Sequence, residues 1–164
     1  MLVSEVLREF QKETNFYQYI LTNMNKISVI IPTYKRPQDL QNTLKSFNDQ
    51  KLDGLVDYEI IVVDNNSGDN TKEVVESIIP QFNGRLQYLF EGSPGRSSAI
   101  NAATKISTGD IIAYTDDDCL IEENWLKNIL RIFSERKLDL LCGKTIPVFP
   151  DGKPDWIDLS NKIF

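Results

Sequence analysis

Ile27-Ser28-Val29-Ile30-Ile31-Pro32-Thr33-Tyr34 begins as a short, almost continuous apolar run and ends in a proline followed by two polar-tipped residues. Apolar and polar positions do not alternate in it, so the strand it predicts leaves neither face to water, as in a parallel sheet covered on both sides. Pro32 is expected to halt that strand. Pro37 then fits a first helical position, and Leu40, Leu44 and Phe47 give the i, i+4, i+7 face of a helix.

Outward from this unit, strand and helix keep alternating. Tyr58-Glu59-Ile60-Ile61-Val62-Val63 is a second apolar run, ended by the turn-forming Asp64-Asn65-Asn66-Ser67-Gly68-Asp69. Asn70 with Glu73 resembles a capping box that opens a helix through Val74, Val75, Ile78 and Ile79. Leu86 to Phe90 is a third strand, followed by Gly92-Ser93-Pro94-Gly95 and a helix whose Ala99, Ala102 and Ala103 permit close approach to a sheet. Asp110-Ile111-Ile112-Ala113-Tyr114 is a fourth strand and runs into Asp116-Asp117-Asp118. Trp125, Leu126, Ile129, Leu130 and Phe133 then form a helical stripe, and Leu138 to Ile146 is expected to add a further strand. The fold class is therefore α/β, a mostly parallel sheet with helices on both faces. Residues 1–25 read as an appended N-terminal helix, with apolar positions at Leu2, Val6, Leu7, Phe10 and Tyr17, and residues 26–164 as one domain.

Composition narrows the chemistry. The 164 residues include 24 Asp and Glu, 18 Lys and Arg and no His, for a net charge of −6. Without histidine there is no Ser-His-Asp triad, no Cys-His pair and no His-ligated zinc. An acidic chain lacks the positive footprint that nucleic acid requires, so no nucleic-acid partner is expected. Cys119 and Cys142 form no CxxC pair and suit a reducing compartment as free thiols. No run approaches the roughly 20 apolar residues of a membrane span. The expected location is the cytoplasm, with residues 1–21 available for contact with a partner chain or with the cytoplasmic face of a membrane.

In an open parallel sheet ligands bind beyond the carboxyl ends of the strands. Those ends carry Pro32-Thr33-Tyr34-Lys35-Arg36, Asp64 to Asp69, Gly92 to Arg96 and Asp116 to Asp118. Three adjacent carboxylates repel one another by roughly 1 kcal/mol per pair in water and by more when partly buried, so a cation is expected nearby. Carboxylate oxygens suit Mg²⁺ or Mn²⁺, which complete their shells with water and substrate phosphates. In an extended turn Asp116 and Asp118 share a direction that Asp117 does not. The plainer alternative is a solvated acidic turn capping the helix that begins near Glu122. Asp64 is open to two readings, an acceptor for a nucleobase imide or ribose hydroxyl, or an Asx-turn residue holding its own loop. Arg36 and Arg96 could each grip diphosphate oxygens or be ordinary surface arginines. Gly92-Ser93-Pro94-Gly95 lacks the Gly-Lys-Ser/Thr ending of a P-loop but still offers N–H groups to an anion at a helix start.

Taken in order, Ile27 to Tyr34, Ile61 to Ser67, Asn101 to Asp110 and Tyr114 to Cys119 resemble a family 2 glycosyltransferase over about residues 26–157. The resemblance implies a Rossmann-like nucleotide-diphospho-sugar transferase fold of the GT-A type, of which this chain holds the N-terminal, donor-binding portion. It implies that Pro32, Thr33 and Tyr34 line the nucleotide pocket and that Asp64 contacts the base. Asp116-Asp117-Asp118 stands as the Asp-x-Asp motif, Asp118 reaching the metal and Asp116, the second metal candidate, lying near the ribose and donor sugar. Arg36, Asn66, Arg96 and Asp117 complete the expected donor-binding set. The implied cofactor is Mn²⁺ or Mg²⁺, assisting departure of the nucleoside diphosphate as a Lewis acid. The implied reaction is inverting hexosyl transfer to the hydroxyl of a polysaccharide, lipid or protein acceptor. A UDP-sugar is expected ahead of a GDP-sugar, although the imide of either base would suit Asp64.

Two positions depart from the family pattern. Ile100 stands where many members carry Arg, so the interaction that Arg would make with base or phosphate is either missing or made by Arg96. The family's catalytic base usually lies many tens of residues beyond the Asp-x-Asp motif, and only 46 residues follow Asp118 in a chain of 164. Asp151, Asp155 and Asp158 are the downstream Asp candidates close to the turns of the tail and none stands in a matching motif, so the catalytic base is unassigned and the expectation is a fragment or shortened relative. The rival reading is a non-catalytic module that holds nucleotide-sugar without turnover. A sugar nucleotidyltransferase would show a Gly-rich loop after the first strand, and a purely structural domain would dock through residues 1–21.

Overall fold

A computed structural model describes residues 26–52, 57–136, 138–149, 152–154 and 157. The appended helix expected over residues 1–25 lies outside the described residues, as do Asp151, Asp155 and Asp158. Four strands, β1 (Lys26–Thr33), β2 (Asp57–Asp64), β3 (Arg85–Phe90) and β4 (Ile111–Tyr114), form one parallel sheet in the order β3-β2-β1-β4. Four helices connect or follow them, α1 (Pro37–Phe47), α2 (Thr71–Ile78), α3 (Arg96–Ile106) and α4 (Trp125–Glu135).

The strand order dictates where the helices lie. From β1 through β2 to β3 the chain steps one way across the sheet, and from β3 to β4 it steps back past β1. Right-handed crossovers then require α1 and α2 on one face and α3 on the other. The core divides accordingly. Ile27, Val29, Ile31, Ile60 and Val62 pack with Leu40, Leu44 and Phe47 of α1, Val75 and Ile78 of α2, and Leu126 and Ile129 of α4. On the opposite face Ile30, Ile61 and Val63 meet Ala99 and Ala103 of α3, whose small side chains let helix and sheet approach closely, as their spacing predicts.

Three expectations need correcting. Pro32 does not halt β1, which continues through Thr33 with Pro32 beside Val63. Thr33 O accepts from Asn65 N–H on the β2 side and Ile30 O accepts from Thr115 N–H on the β4 side. Backbone groups alternate along a strand, so the missing N–H of Pro32 falls on the β4 side, where pairing has ended at Ile30 with Tyr114. Secondly, Leu138 to Ile146 is irregular rather than a strand, and Leu140 stands 77% exposed. Leu141 packs against the core without joining the sheet. Thirdly, Asn70 makes no side-chain cap on α2. Asp69 Oδ1 accepts instead from Thr71 N–H at 3.0 Å and from Thr71 Oγ1 at 2.5 Å.

At the amino end of the sheet lies a polar centre inside the apolar run of β2. Glu59 is 0% exposed and accepts hydrogen bonds from Ser28 Oγ (2.7 Å), Thr108 N–H (2.7 Å), Thr108 Oγ1 (2.8 Å) and Gln87 Nε2 (3.0 Å), with Arg85 at 3.3 Å. Gly109 passes so close that an added Cβ would sit 2.4 Å from Ser28 N and 2.8 Å from Ser28 Oγ. Gly109→Ala is therefore expected to cost about 3 kcal/mol, because backbone cannot yield as a side-chain tip can. A urea denaturation midpoint equal to the parent's would refute this packing.

Candidate functional site

The direction in which the chain steps across the sheet reverses at β1, with β3 and β2 on one side of it and β4 on the other, and a crevice opens beyond the carboxyl ends of the strands there. A cleft of about 380 Å³ occupies it, lined by Pro32, Thr33, Tyr34, Arg36, Asn65, Arg96, Asp116, Asp117 and Asp118. Residues that follow all four strands, far apart in sequence, thus converge as their positions after apolar runs predict.

The β1 loop turns sharply, with Lys35 at φ 55°, its N–H donating to Ser67 Oγ at 3.0 Å and its Nζ lying 5.1 Å from the Tyr34 ring centroid. The tyrosine ring stays exposed in the cleft. Gly95, at φ 116°, precedes the first turn of α3, a conformation open to glycine but not to residues with a Cβ. It brings Arg96 to the cleft rim.

The three aspartates divide as the alternation of an extended turn predicts. Asp117 points into the fold and is 6% exposed, its Oδ2 accepting from Thr33 Oγ1 at 2.7 Å and its backbone carbonyl from Thr43 Oγ1 at 2.8 Å. Burial pushes its carboxyl above the usual range, which the Thr33 hydroxyl and the Arg36 guanidinium only partly offset. Asp116 and Asp118 are about half exposed in the cleft, and each meets an arginine. Arg36 lies 2.9 Å from Asp118 and 3.5 Å from Asp117, and Arg96 bonds Asp116. The cation that three adjacent carboxylates call for is therefore supplied, within this chain, by the two arginines.

Asp64 and Asn66 occupy other places. Asp64 is 4% exposed, with Oδ1 accepting from Ser67 N–H at 2.9 Å and Oδ2 from Tyr88 OH at 2.8 Å. These contacts are those of the turn-holding reading, and neither Asp64 nor Asn66 belongs to the cleft lining. Asn66 is exposed at φ 63°, a left-handed conformation that asparagine tolerates better than most residues. Asn65, which sequence reading passed over, lines the cleft instead. Its Oδ1 accepts from Gly95 N–H at 2.7 Å and its Nδ2 donates to Ser93 O at 2.7 Å, fastening the β2 loop to the loop before α3. The signal was present in the first position after a buried strand, where a polar side chain faces the crevice.

Among the described residues no group of three carboxylate or thiol side chains converges as a ready-made cage for a divalent cation. Asp116 and Asp118 nevertheless present hard oxygen ligands on the open side of the cleft, which suits an ion that takes one or two carboxylates and completes its shell with phosphate and water. The residues present fit such a group.

Comparison with known proteins bears on this cleft. Glycosyltransferase AglE of Haloferax volcanii is 30% identical over 126 residues, 77% of this chain and 41% of AglE. Poly(ribitol-phosphate) beta-N-acetylglucosaminyltransferase TarP of Staphylococcus aureus is 31% identical over 123 residues, 74% of this chain and 37% of TarP. The crystal structure of S. aureus TarS in complex with UDP-GlcNAc superimposes with a TM-score of 0.63 at 30% identity, covering 79% of this chain and 37% of that one. The chain thus spans about two fifths of the length of these two curated relatives. These likenesses cover most of the described chain, and residues 28–163 match the family described as Glycosyl transferase family 2, so the protein belongs to that family.

Proposed function

We propose that the cleft binds a nucleoside diphosphate-sugar, a UDP-sugar in the first instance, for metal-dependent, inverting transfer of the sugar to an acceptor hydroxyl. The observation that carries this is the pairing of two half-exposed carboxylates, Asp116 and Asp118, with two arginines on the rim of one cleft at a sheet switch point. The UDP-GlcNAc bound by TarS supports uridine as the base of choice.

Tyr34 offers an exposed ring face and Pro32 and Asn65 the adjoining walls, a surface suited to a flat base. Arg36 and Arg96 are placed to grip diphosphate oxygens, and the first turn of α3 adds backbone N–H groups beside Arg96. Asp116 and Asp118 would hold Mn²⁺ or Mg²⁺. When bound, the ion supplies neutralisation of the negative charge that gathers on the departing diphosphate. A general base must take the acceptor proton in direct displacement. Among the described residues the cleft lining holds no carboxylate beyond the three aspartates, which keeps open a second reading, a donor-binding module that acts without turnover.

Half-exposed ion pairs contribute roughly 1 kcal/mol or less, so little opposes an exchange in which each arginine leaves its aspartate for a phosphate oxygen. Arg36→Ala is therefore expected to move two affinities in opposite directions. Mn²⁺ alone binds about threefold tighter, because Asp118 loses its competitor. UDP in saturating Mn²⁺ binds about tenfold weaker, because a charge-assisted hydrogen bond is gone. Titration calorimetry reads both; affinities that fall together, or do not change, would sink the donor-site assignment of Arg36.

A further inference from the structure

The loop from Thr115 to Asn124 carries Asp116 and Asp118, the two half-exposed carboxylates of the cleft, yet has no helix or strand of its own. Something outside it must set its path. Thr33 holds it from β1, through the hydrogen bond to Asp117. A second set of holds comes from α1 and the residues after it, none of which lines the cleft. Thr43 Oγ1 donates to Asp117 O at 2.8 Å, and Ile121 N–H donates to Ser46 Oγ at 3.0 Å. Gln50 Nε2 donates to Glu122 O at 2.7 Å while its Oε1 accepts from Leu126 N–H at 3.1 Å. Thr43 and Ser46 lie one helical turn apart on α1 and Gln50 follows three residues beyond its end, so a polar stripe on the helix, beside the apolar stripe of Leu40, Leu44 and Phe47, is extended by the segment after it. The loop is laid along that stripe.

We propose that Thr43, with Ser46 and Gln50 behind it, is a positioning residue that fixes the aim of Asp116 and Asp118. Thr43 is 1% exposed and bonds the middle residue of the aspartate triplet through its backbone, so it acts on both flanking carboxylates without touching a ligand. Together with Thr33 it clamps Asp117 from two sides, at the carboxylate and at the carbonyl. With Asp117 turned inward and held at both points, its neighbours on either side are directed outward into the cleft. Site geometry loosened by a fraction of an ångström weakens polar recognition while leaving the core packed. The inference rests on the donor-site reading above.

The test is titration calorimetry of UDP in saturating Mn²⁺, well below each variant's melting temperature, on Thr43→Val, Thr43→Ser and Ser28→Ala. Thr43→Val keeps the shape and loses the donor, and is expected to weaken UDP binding about tenfold. Thr43→Ser restores the hydroxyl and is expected to stay within about twofold of the parent. Ser28→Ala removes a buried hydroxyl at the far end of the sheet; it lowers the melting temperature and leaves affinity within about twofold. Parental affinity in Thr43→Val, or an equal loss in Ser28→Ala, would overturn the proposal. Should Thr43→Val fail to fold, Ser46→Ala replaces it, with a loss of about threefold expected and none overturning the idea. Failure of the parent protein to bind UDP would instead overturn the donor-site reading, and this inference with it.

Discussion

Asp118→Ala is expected to reduce Mn²⁺-dependent UDP affinity by about 100-fold or more while leaving the melting temperature within about 2 °C of the parent. The carboxylate is half exposed and its hydrogen bond to Arg36 is of the kind that adds little to folding. Its worth lies in the ligand it offers. With two carboxylates on the open side of the cleft, removing one takes away about half of what the protein contributes to a divalent ion. Asp117→Ala is the informative contrast. Its carboxylate is buried against Thr33, so that change is expected to lower stability and binding together, through lost support. Equal stability losses in the two variants, measured by thermal unfolding, would mean that Asp118 is a structural residue and that the triplet does not divide into an inward and an outward part.

The other large effect is on folding. Glu59→Ala is expected to destabilise the domain by about 3–5 kcal/mol. The substitution leaves the Ser28 and Thr108 hydroxyls and the Gln87 amide without this acceptor, and the Thr108 N–H with only Ser28 Oγ at 3.2 Å, around a carboxylate closed to water. Glu59→Gln keeps the shape and one acceptor oxygen, and is expected to cost about half as much. The pH dependence follows from the same contacts. Burial pushes the Glu59 carboxyl up, but the hydrogen bonds from Ser28 and from the backbone and side chain of Thr108 outweigh it and, with the charge of Lys26, hold it below the ordinary range. A group depressed by folding contributes stability that is fully present above its unfolded pKa, about 4.3 for Glu, and is lost as pH falls through the folded value. Urea midpoints measured from pH 7 downward should therefore fall less steeply below about pH 4.5 in Glu59→Gln than in the parent. Parallel acid limbs would contradict the assignment.

Which parts of this molecule can be read from its sequence follows from the range of the forces involved. The strands and helices were legible because each apolar run is short, bounded by turn residues and of one period. The two-faced core follows, since a strand such as Ile27–Ile31 can only be buried on both sides. The cleft was legible at the same level: residues after strand ends must lie along one sheet edge, and alternation separates Asp117 from its neighbours. Leu138 to Ile146 misled because apolar composition does not say whether a sheet edge is within reach. Pro32 misled because the cost of a proline in a strand depends on which neighbour its missing N–H would have faced. Asp69, rather than Asn70, serves the start of α2 because two adjacent cap-forming residues differ by less than the loop geometry that chooses between them. Asn65 and the Thr43–Ser46–Gln50 stripe needed tertiary structure, since nothing local marks a helix hydroxyl as the partner of a carbonyl 74 residues away. Glu59 left a clear signal, a lone charge inside a buried strand, but its partners in β1, β3 and the loop after α3 could not be named before the strand order was known.

Central to all of this is the proposal that the cleft between β1 and β4 is a metal-dependent site for a nucleoside diphosphate. Calorimetric titration of UDP into the protein, with Mn²⁺ and then with Mn²⁺ removed by a chelator, tests it most directly. Binding at one site that weakens by about 30-fold or more on removal of the ion is the predicted result. Binding of equal strength in the two conditions would contradict the role given to Asp116 and Asp118, and no binding of UDP or GDP in either would contradict the site itself.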